Sequence, residues 1–429
     1  MRLKRCIVAS VLVVSFCLPS PAQQSVGGSI AEEVVKTALE RNQEFLAARE
    51  RVAEAEALLR QAGIRPVPTI EVESSTGRIL GSRGESEFSA AYFHPVETSG
   101  KRTKRLAVAE KGVAIAQAEI RERERQLRFD VKLRYIDAVL QSIKVAVVQS
   151  LTPLNEETYR VTVQRVGLGD AAPLEQRLLL TEINRAKAQE TLIRAEGEAA
   201  LAELRAVVGD TIEPQNVRPD FQLPPGPTDL KTLQDTAIKQ RADLRILTLL
   251  EEQAVAERES AAAEGRPDVT LSARYTRSNS AFDQFGLSEA GTPEPLRDTD
   301  NILTFGVSIP LFSRNRVLGA TQATESRQKQ QQLRREHLIR AIPQEVEAAY
   351  RRWEGATRSL ELLRSGVIDL SEQNLGVIRE AYRLGQMRLL DVLNEQRRLV
   401  DLRLTYVDAQ AEAARALIDL ERAVGGILP

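Results

Sequence analysis

Histidine and cysteine, the side chains that most often bind metals or act as nucleophiles, are scarce in this chain of 429 residues, which has two of each. His94 and His337 lie far apart in the sequence, and neither has a second histidine at metal-ligand spacing. HExxH and His-rich metal motifs are therefore excluded. We predict no catalytic residue, no metal site and no cofactor.

Two short motifs resemble fragments of known sites. Ser326-Arg327-Gln328-Lys329 fits a Ser-x-x-Lys pattern, but it lies in a charged helical stretch without the companion motifs of that enzyme class. Gly100-Lys101 lacks both the upstream glycine spacing and the following serine or threonine of a phosphate-binding loop. An enzyme with unrecognised paired carboxylates stays open as an alternative, although no pocket-forming pattern supports it. These residues favour a protein that is not an enzyme.

The composition is typical of long helices. Only 4% of residues are aromatic and 28% are charged, and alanine, leucine, glutamate and arginine dominate. The 59 basic and 60 acidic residues nearly balance, so the chain lacks the net basic face of a nucleic-acid-binding protein. We therefore predict no nucleic-acid partner.

Residues 1–22 have the pattern of a secretory leader, with a basic start, an apolar run and small residues before a cleavage site. Cys17 suggests a lipoprotein, but Phe16 is too bulky for the small residue that lipidation requires. We favour cleavage after Ala22, which would remove both Cys17 and Cys6. No later stretch approaches the ~20 apolar residues of a membrane-spanning helix, so membrane contact must come from strands or from the surface.

The rest of the chain is organised around a long helical rod. Lys101–Leu168 contains almost no turn-forming residue over about 68 positions, which gives a helix of roughly 100 Å. The chain then reverses and returns over Ala171–Val208, about half as long. Ile30–Gln61, also helical by its apolar spacing, is expected to cover the other half of the rod.

This design occurs twice. Arg383–Gln386 corresponds to Gly167–Asp170, and Ala423–Gly426 to Val207–Asp210, both at one constant offset in sequence number and without a gap. Such a repeat indicates a tandem duplication. We predict a leader (1–22), a first repeat (23–210, with strands at about 67–97), a linker (211–228) and a second repeat (229–429, with strands at about 267–312).

The second rod is expected over Asn315–Leu384, and Pro153 and Pro343 predict one kink in each rod. The second return arm carries apolar or small residues spaced alternately three and four apart, a coiled-coil pattern. These residues are Leu399, Leu402, Tyr406, Ala409, Ala413, Ala416, Leu420 and Ala423.

Between the half-length helix and the rod of each repeat, the hydrophobic period becomes alternating, which predicts a β-hairpin. The second hairpin alternates most cleanly, over Asp268–Tyr275 and Leu303–Ile309, with the polar stretch Ser278–Asn301 expected as a loop. About ten residues per strand is the length of a transmembrane β-strand. One chain supplies only four strands, too few to close a barrel, so several chains must pool their strands. Solvent-exposed hairpins that cap a helical bundle are the alternative.

Two copies of helix, hairpin and rod, with the tip sequences Arg165–Glu175 and Tyr382–Leu393, resemble the TolC family of outer-membrane efflux proteins. Ser308–Phe312, after the last strand, is also similar to that family's strand-to-helix junction. The resemblance covers essentially the whole mature chain and rests on the duplicated order of elements.

The resemblance implies a mainly α fold with membrane β: duplicated long-helix coiled-coil repeats form a periplasmic α-barrel, and four strands per chain contribute to a trimeric 12-stranded outer-membrane β-barrel. It also implies a homotrimer in outer-membrane lipid, with a periplasmic adaptor and an inner-membrane pump as partners. The protein would be a passive export duct of a Gram-negative-type cell. The alternative from another class is a periplasmic coiled-coil scaffold or adaptor.

The resemblance also implies roles for the tips. The periplasmic turns would be formed by Gly167, Leu168, Gly169, Leu384, Gly385 and Gln386, and the candidate entrance or gating residues are Glu175, Tyr382 and Asp391. Asn394 stands where a second acidic residue can occur in the family. The Ala-Ala-Pro-Leu-Glu sequence of the first tip, residues 171–175, is similar to the heavy-metal cation branch.

Overall fold

A computed structural model describes residues 30–81, 84–209, 221, 229–311, 317–426 and 428. The predicted leader (1–22), with both cysteines, lies outside these residues. So does the predicted linker (211–228), apart from Phe221.

The described chain follows the same order of elements twice. In each half, two short helices precede a β-hairpin, and two consecutive helices then form a rod before a long return helix. The first half comprises α1 (Ile30–Arg41), α2 (Gln43–Ala62), β1 (Thr69–Thr76), a 3-10 turn (Gly77–Leu80), β2 (Ser86–Val96), α3 (Lys101–Gln149), α4 (Leu151–Leu168) and α5 (Pro173–Val208). The second comprises α6 (Leu230–Gln240), α7 (Ala242–Glu264), β3 (Val269–Leu287), β4 (Pro293–Ser308), α8 (Leu318–Arg364), α9 (Val367–Arg383) and α10 (Leu389–Val424).

The helix predicted over Ile30–Gln61 is divided at Asn42, whose backbone is extended. The Asn42 side-chain oxygen accepts a hydrogen bond from the Phe45 amide (2.8 Å) and so caps α2. Its Nδ2 donates to the Val207 carbonyl (2.7 Å), which ties this break to the end of α5. In the second repeat, Arg241 is likewise extended and separates α6 from α7.

Each return helix ends against one of these breaks, at a glycine. Gly209 has a φ of +77°, and a Cβ added to it would lie 2.9 Å from the Arg41 carbonyl oxygen. Gly425, the corresponding glycine of the second repeat, has a φ of +99°, and its added Cβ would lie 2.9 Å from Arg241 Cγ. Both the left-handed backbone and the close approach require glycine at these positions.

The rods are interrupted at Ser150 and at Gly366, which are corresponding positions of the two repeats. The first interruption lies three residues before Pro153, close to the predicted kink, whereas the second lies at Gly366 and not at Pro343. Pro153 lies in the first turn of α4, where the missing N–H breaks no helical hydrogen bond. Pro343 lies inside α8, which continues to Arg364.

The four strands form one antiparallel sheet in the order β1-β2-β3-β4. Pairing of β3 with β4 continues beyond β2 as far as Leu287↔Pro293, with an irregularity between Ala281 and Phe285. The loop predicted over Ser278–Asn301 is therefore mostly strand. Both faces of this extension are free of a packed layer, so the sequence needs no apolar face there and shows no clean alternation.

One face of the sheet is apolar and exposed. Tyr92 pairs with Ile70 on one side and with Ala273 on the other, and Ala273 pairs with Phe305. Ile70 is 73% exposed and Phe305 is 75% exposed. The alternation predicted over Asp268–Tyr275 places Ala273 on this side of the sheet.

The opposite face is polar. Arg274 Nη1 lies 3.1 Å from the Ser89 hydroxyl and 3.3 Å from the Glu73 carboxylate, which joins three strands through their side chains. Ser89 is buried by this contact. The alternation predicted around Arg274 thus places charged and hydroxyl groups on one side of the sheet.

Two apolar clusters pack the return helices onto the rods. In the first, Leu204 and Val208 of α5 are fully buried against α1 and α3. In the second, Leu420 and Val424 of α10 are fully buried against α6 and α8. None of the described helices is long and apolar enough to cross a membrane.

Candidate functional site at the helical tips

The end of the molecule farthest along the rods from the sheet is formed by two helical hairpins. We call α4 with α5 the first tip hairpin and α9 with α10 the second tip hairpin. Gly169 (φ +82°) and Gly385 (φ +76°) follow the ends of α4 and α9 in the left-handed conformation. The Asp170 amide donates to the Arg165 carbonyl (2.8 Å), and the Gln386 amide to the Ala381 carbonyl (2.8 Å), so both turns satisfy free carbonyl groups at the helix ends.

The structure places the predicted turn residues at these two ends, with one difference in role. Gly167 lies inside α4 with an ordinary helical φ, so the reversal depends on Gly169 alone. Leu168 and Leu384 are 77% and 63% exposed, respectively. Each tip therefore presents an exposed leucine beside its turn glycine.

Tyr382, at the end of α9, connects the two tip hairpins. Its side chain is buried in an apolar cluster with Leu179 of α5 and Leu389 of α10. Its hydroxyl donates to the Glu175 carboxylate (3.0 Å) and lies 2.8 Å from the Thr162 hydroxyl. Glu175 and Tyr382, both predicted as site residues, are thus in direct contact across the hairpins.

Arg165 completes this contact from above the tyrosine ring. Its guanidinium carbon lies 4.7 Å from the centroid of the Tyr382 ring, which is cation–π distance. Arg165 also donates to the carbonyl oxygens of Tyr382 (2.9 Å) and Asp170 (3.1 Å). One arginine therefore holds the first turn and the end of α9 together.

The surroundings keep Tyr382 protonated. Burial raises the pKa of its hydroxyl above the ordinary value of 10.0, and the bond to Glu175 raises the pKa further, although Thr162 opposes the shift. The tyrosine therefore stays a hydrogen-bond donor at neutral pH.

Asp391, the third predicted gating residue, is not part of this contact. Its carboxylate accepts a hydrogen bond from the Arg388 amide (3.1 Å) as half of a capping box at the start of α10. Within the single chain, Asp391 therefore serves the second tip hairpin alone.

Sequence reasoning missed Thr162 and the role of Arg165. Thr162 is a fully buried residue of the helix α4, and Arg165 lies one helical turn before Gly169. The sequence does show that the two residues lie on one face of α4, one helical turn apart and close to the predicted reversal. The partner lies 217 residues away from Arg165, however, and no local pattern identifies it.

Two further ion pairs cross between the hairpins. Arg379 of α9 donates to Glu157 of α4 (2.6 Å), and Arg397 of α10 donates to Glu182 of α5. Exposed pairs of this kind contribute little to stability. Their value lies in orientation, because each joins one hairpin to the other.

In the parts of the chain that the structure describes, no group of three or more histidine, cysteine, aspartate or glutamate side chains is arranged to hold a metal ion. The tip is therefore a contact built from hydrogen bonds, ion pairs and one stacked aromatic ring.

Residues 233–426 match the model of the family described as outer membrane efflux protein. This stretch, which covers most of the second repeat, therefore belongs to the outer membrane efflux protein family. A curated relative, the cobalt-zinc-cadmium resistance protein CzcC of Cupriavidus metallidurans, is 22% identical over 413 residues, which cover 95% of this chain and 93% of CzcC. The alkaline protease secretion protein AprF of Pseudomonas aeruginosa is 23% identical over 296 residues, which cover 67% of this chain and 60% of AprF.

The fold of the chain matches that of solved channels. The open-state structure of the MtrE outer membrane channel of Neisseria gonorrhoeae superposes with a TM-score of 0.71 at 20% identity, covering 92% of this chain and 89% of MtrE. The predicted resemblance to the TolC family and the predicted fold class are confirmed. So are the predicted function as an outer-membrane channel and the location in the outer membrane and periplasm.

Proposed function

We propose that three copies of this chain form one water-filled duct that leads from the periplasm to the exterior. The observation that carries the proposal is the four-stranded sheet, with β1 and β4 at its edges and an exposed apolar face. A lipid-exposed strand edge is not tolerated in a bilayer, and four strands cannot close on themselves. Twelve strands from three chains would leave no edge, with the face that carries Arg274 turned toward water.

In this assembly the duct catalyses no reaction. Transport energy would come from an inner-membrane pump, and a periplasmic adaptor would connect the pump to the tips. Leu168 and Leu384 support the second part, because both are exposed at equivalent places in the two repeats. A trimer would present six such leucines in a ring. This ring would be an apolar surface that an adaptor with the same symmetry could bind.

The tip contact is proposed as the gate of the duct. Tyr382, Glu175 and Arg165 hold the first and second tip hairpins together in each chain. If the hairpins separate, the entrance widens. Asp391 is proposed to line the entrance, where its free carboxylate oxygen would favour cations.

The proposed cargo is a divalent metal cation, and the first tip sequence at residues 171–175 supports this class. The relative that matches nearly the whole chain is named for cobalt, zinc and cadmium resistance. A second candidate is an exported protein, because AprF is named for protease secretion but matches a smaller part of the chain.

The oligomer is tested by extraction. We expect the mature protein to leave outer-membrane fractions only with detergent and to have the mass of three chains by native mass spectrometry. Release into plain buffer as a monomer would contradict the duct and favour a periplasmic scaffold.

The gate is tested by conductance in planar bilayers. We expect Tyr382→Phe and Glu175→Gln each to raise the conductance severalfold over that of the wild type. Tyr159→Phe is the matched control, because the Tyr159 hydroxyl accepts a hydrogen bond from Gln176 (3.3 Å) within the first tip hairpin only. Equal conductance of all four proteins would exclude the tip contact as the gate.

The adaptor surface and the cargo are tested in cells. The double variant Leu168→Asp with Leu384→Asp should abolish metal resistance without changing conductance. Leu362→Asp, at an exposed site on α8, should leave metal resistance unchanged. Deletion of the gene should sensitise cells to cobalt, zinc or cadmium. Normal metal resistance with a loss of protein secretion would favour the second cargo.

A further inference from the structure

A small cavity lies between the two tip hairpins. It has a volume of about 100 Å3 and is bounded by α4, α5 and α10. It lies on the tip side of the rod interruption at Ser150. Ala186 and Leu393 form its apolar wall, and the Glu182–Arg397 ion pair lies at its rim.

Two of the residues around this cavity are buried amides, each with one polar atom that has no partner. Asn155 of α4 and Gln396 of α10 are 5% and 3% exposed. The Asn155 Oδ1 acceptor and the Gln396 Nε2 donor have no hydrogen bond within the described chain. A buried polar atom without a partner loses its hydrogen bonds to water and gains none in return, so native structures seldom leave one unsatisfied.

The second repeat shows how the same position is satisfied when a protein partner exists. Ser371 occupies the position that corresponds to Asn155 and is also buried, and its hydroxyl donates to Glu395 (3.2 Å). The residue that corresponds to Glu395 in the first repeat is Leu179, which is apolar and fully buried. Asn155 is therefore a buried polar side chain at a position where the first repeat has no residue equivalent to Glu395.

We propose that a cluster of ordered water molecules occupies this cavity and joins the first tip hairpin to the second. Water is the simple ligand that can donate to Asn155 and accept from Gln396 at once. The charged lining residues Glu182, Arg185, Arg397 and Asp401 balance one another, so the cavity has no net charge that would favour an ion of either sign. An apolar molecule would satisfy neither amide. A cavity of about 100 Å3 has room for several water molecules, each of which takes about 30 Å3 in the liquid.

The consequence is a hydrated joint between α4, α5 and α10. Water-mediated contacts can be rearranged without exposing a packed apolar surface. The joint thus lies where the hairpins would have to shift against each other if the tip opens. The water site itself does not depend on that gating, because it concerns a single chain and is tested without transport.

The first test is the solvent density in an experimental map that resolves ordered water. We expect peaks within hydrogen-bond distance of Asn155 Oδ1 and Gln396 Nε2. An empty cavity, or density for an ion or an organic molecule, would overturn the proposal.

The second test is a double-mutant cycle on thermal unfolding of the purified protein in detergent. If water bridges the two amides, Asn155→Leu and Gln396→Leu each lower Tm by about 2 °C, and the double variant loses about as much as either single variant. The cycle cancels the helix propensity of each new side chain. A rise in Tm in the single variants would mean that the amides are dry and unsatisfied in the wild type, and would contradict the proposal.

Gln331 provides the matched control. It is buried on α8 with an unpartnered Oε1 but does not line this cavity. Gln331→Leu and Gln396→Leu should therefore change Tm additively. If the Tm changes of Gln331→Leu and Gln396→Leu were coupled as strongly as those of the cavity pair, the cycle would report a global effect. That result would contradict a water bridge between Asn155 and Gln396.

Discussion

The ends of the return helices and the tips use the duplication in opposite ways. Where α5 and α10 end, corresponding positions carry the same residues. Leu204 and Leu420 are both fully buried, as are Val208 and Val424, and Gly209 corresponds to Gly425. At the tips, corresponding positions differ: Thr162 and Ile378, Arg165 and Ala381, Val166 and Tyr382, Glu175 and Asp391.

The difference has a physical reason. At its end each return helix packs within its own repeat, so one apolar solution works twice. At the tip the two hairpins contact each other, and two different surfaces must be complementary. A buried tyrosine on one side therefore needs a threonine, an arginine and a carboxylate on the other. The ends of the return helices stabilise the fold, and the tip contact is where the two repeats have acquired separate roles.

The largest expected effect is at the apolar ends. Leu204→Ala and Leu420→Ala each remove a fully buried side chain and should lower the free energy of unfolding by about 2–5 kcal/mol. Chemical unfolding in detergent measures both. Because the sites correspond, the two losses should agree within about 1 kcal/mol. A loss at only one site would break the equivalence of the two repeats.

The next effect distinguishes a glycine packed against another segment from a glycine in an open turn. Gly209→Ala should cost more than Gly169→Ala, although both have a positive φ. The Cβ at Gly209 would lie 2.9 Å from a backbone oxygen, whereas nothing lies within 4 Å of a Cβ at Gly169. The tip variant should lose only the conformational cost of about 1–2 kcal/mol. Equal losses in Tm would contradict the packing of Gly209 on the α1–α2 break.

A smaller effect is expected at the tip. Arg165→Lys keeps the charge but loses the flat stacking on Tyr382 and the fixed fork of donors, which should cost about 1 kcal/mol. Arg160→Lys, at an exposed site on the same helix, should have no measurable effect on Tm. Equal Tm values for Arg165→Lys and Arg160→Lys would show that Arg165 does not hold the two hairpins together.

The smallest effect is a pH dependence near the end of α10. Burial raises the pKa of Glu421 above its ordinary value of 4.5, although Lys132 lies 3.6 Å away and opposes the shift. The stability that this group contributes is full below its ordinary pKa and is lost as the pH rises through the raised pKa. Glu421→Gln stays neutral, so its Tm relative to the wild type should increase from about pH 4 to pH 8. A constant difference across that range would contradict the raised pKa.

The duplication, the rods and the hairpins could be predicted from the sequence because each depends on a period or on a constant offset. The strand lengths could not: β3 and β4 extend past β2 with no apolar face to produce alternation. The interruption of the first rod could be predicted to within three residues from Pro153, but that of the second rod was misplaced because Pro343 is the more obvious signal. Ser150 and Gly366 are recognisable only when the two repeats are aligned at their constant offset.

The tip was predicted in part. Glu175 and Tyr382 were predicted as site residues from the family resemblance, and they are in contact. Asp391 was predicted with them, although it caps its own helix in the single chain. The polar partners Thr162 and Arg165 depend on a contact between residues of different repeats, which the sequence of a single chain does not reveal.

The most direct test of the account is to lock the hairpins together and measure conductance. The sequence has no cysteine after Cys17, so Glu157→Cys with Arg379→Cys can replace one ion pair between the hairpins and be joined by a short reducible cross-linker. Added to the Tyr382→Phe variant, the cross-link should return conductance in planar bilayers to the low wild-type value, and reduction should restore the high value. High conductance with the hairpins still cross-linked would contradict the tip contact as the gate.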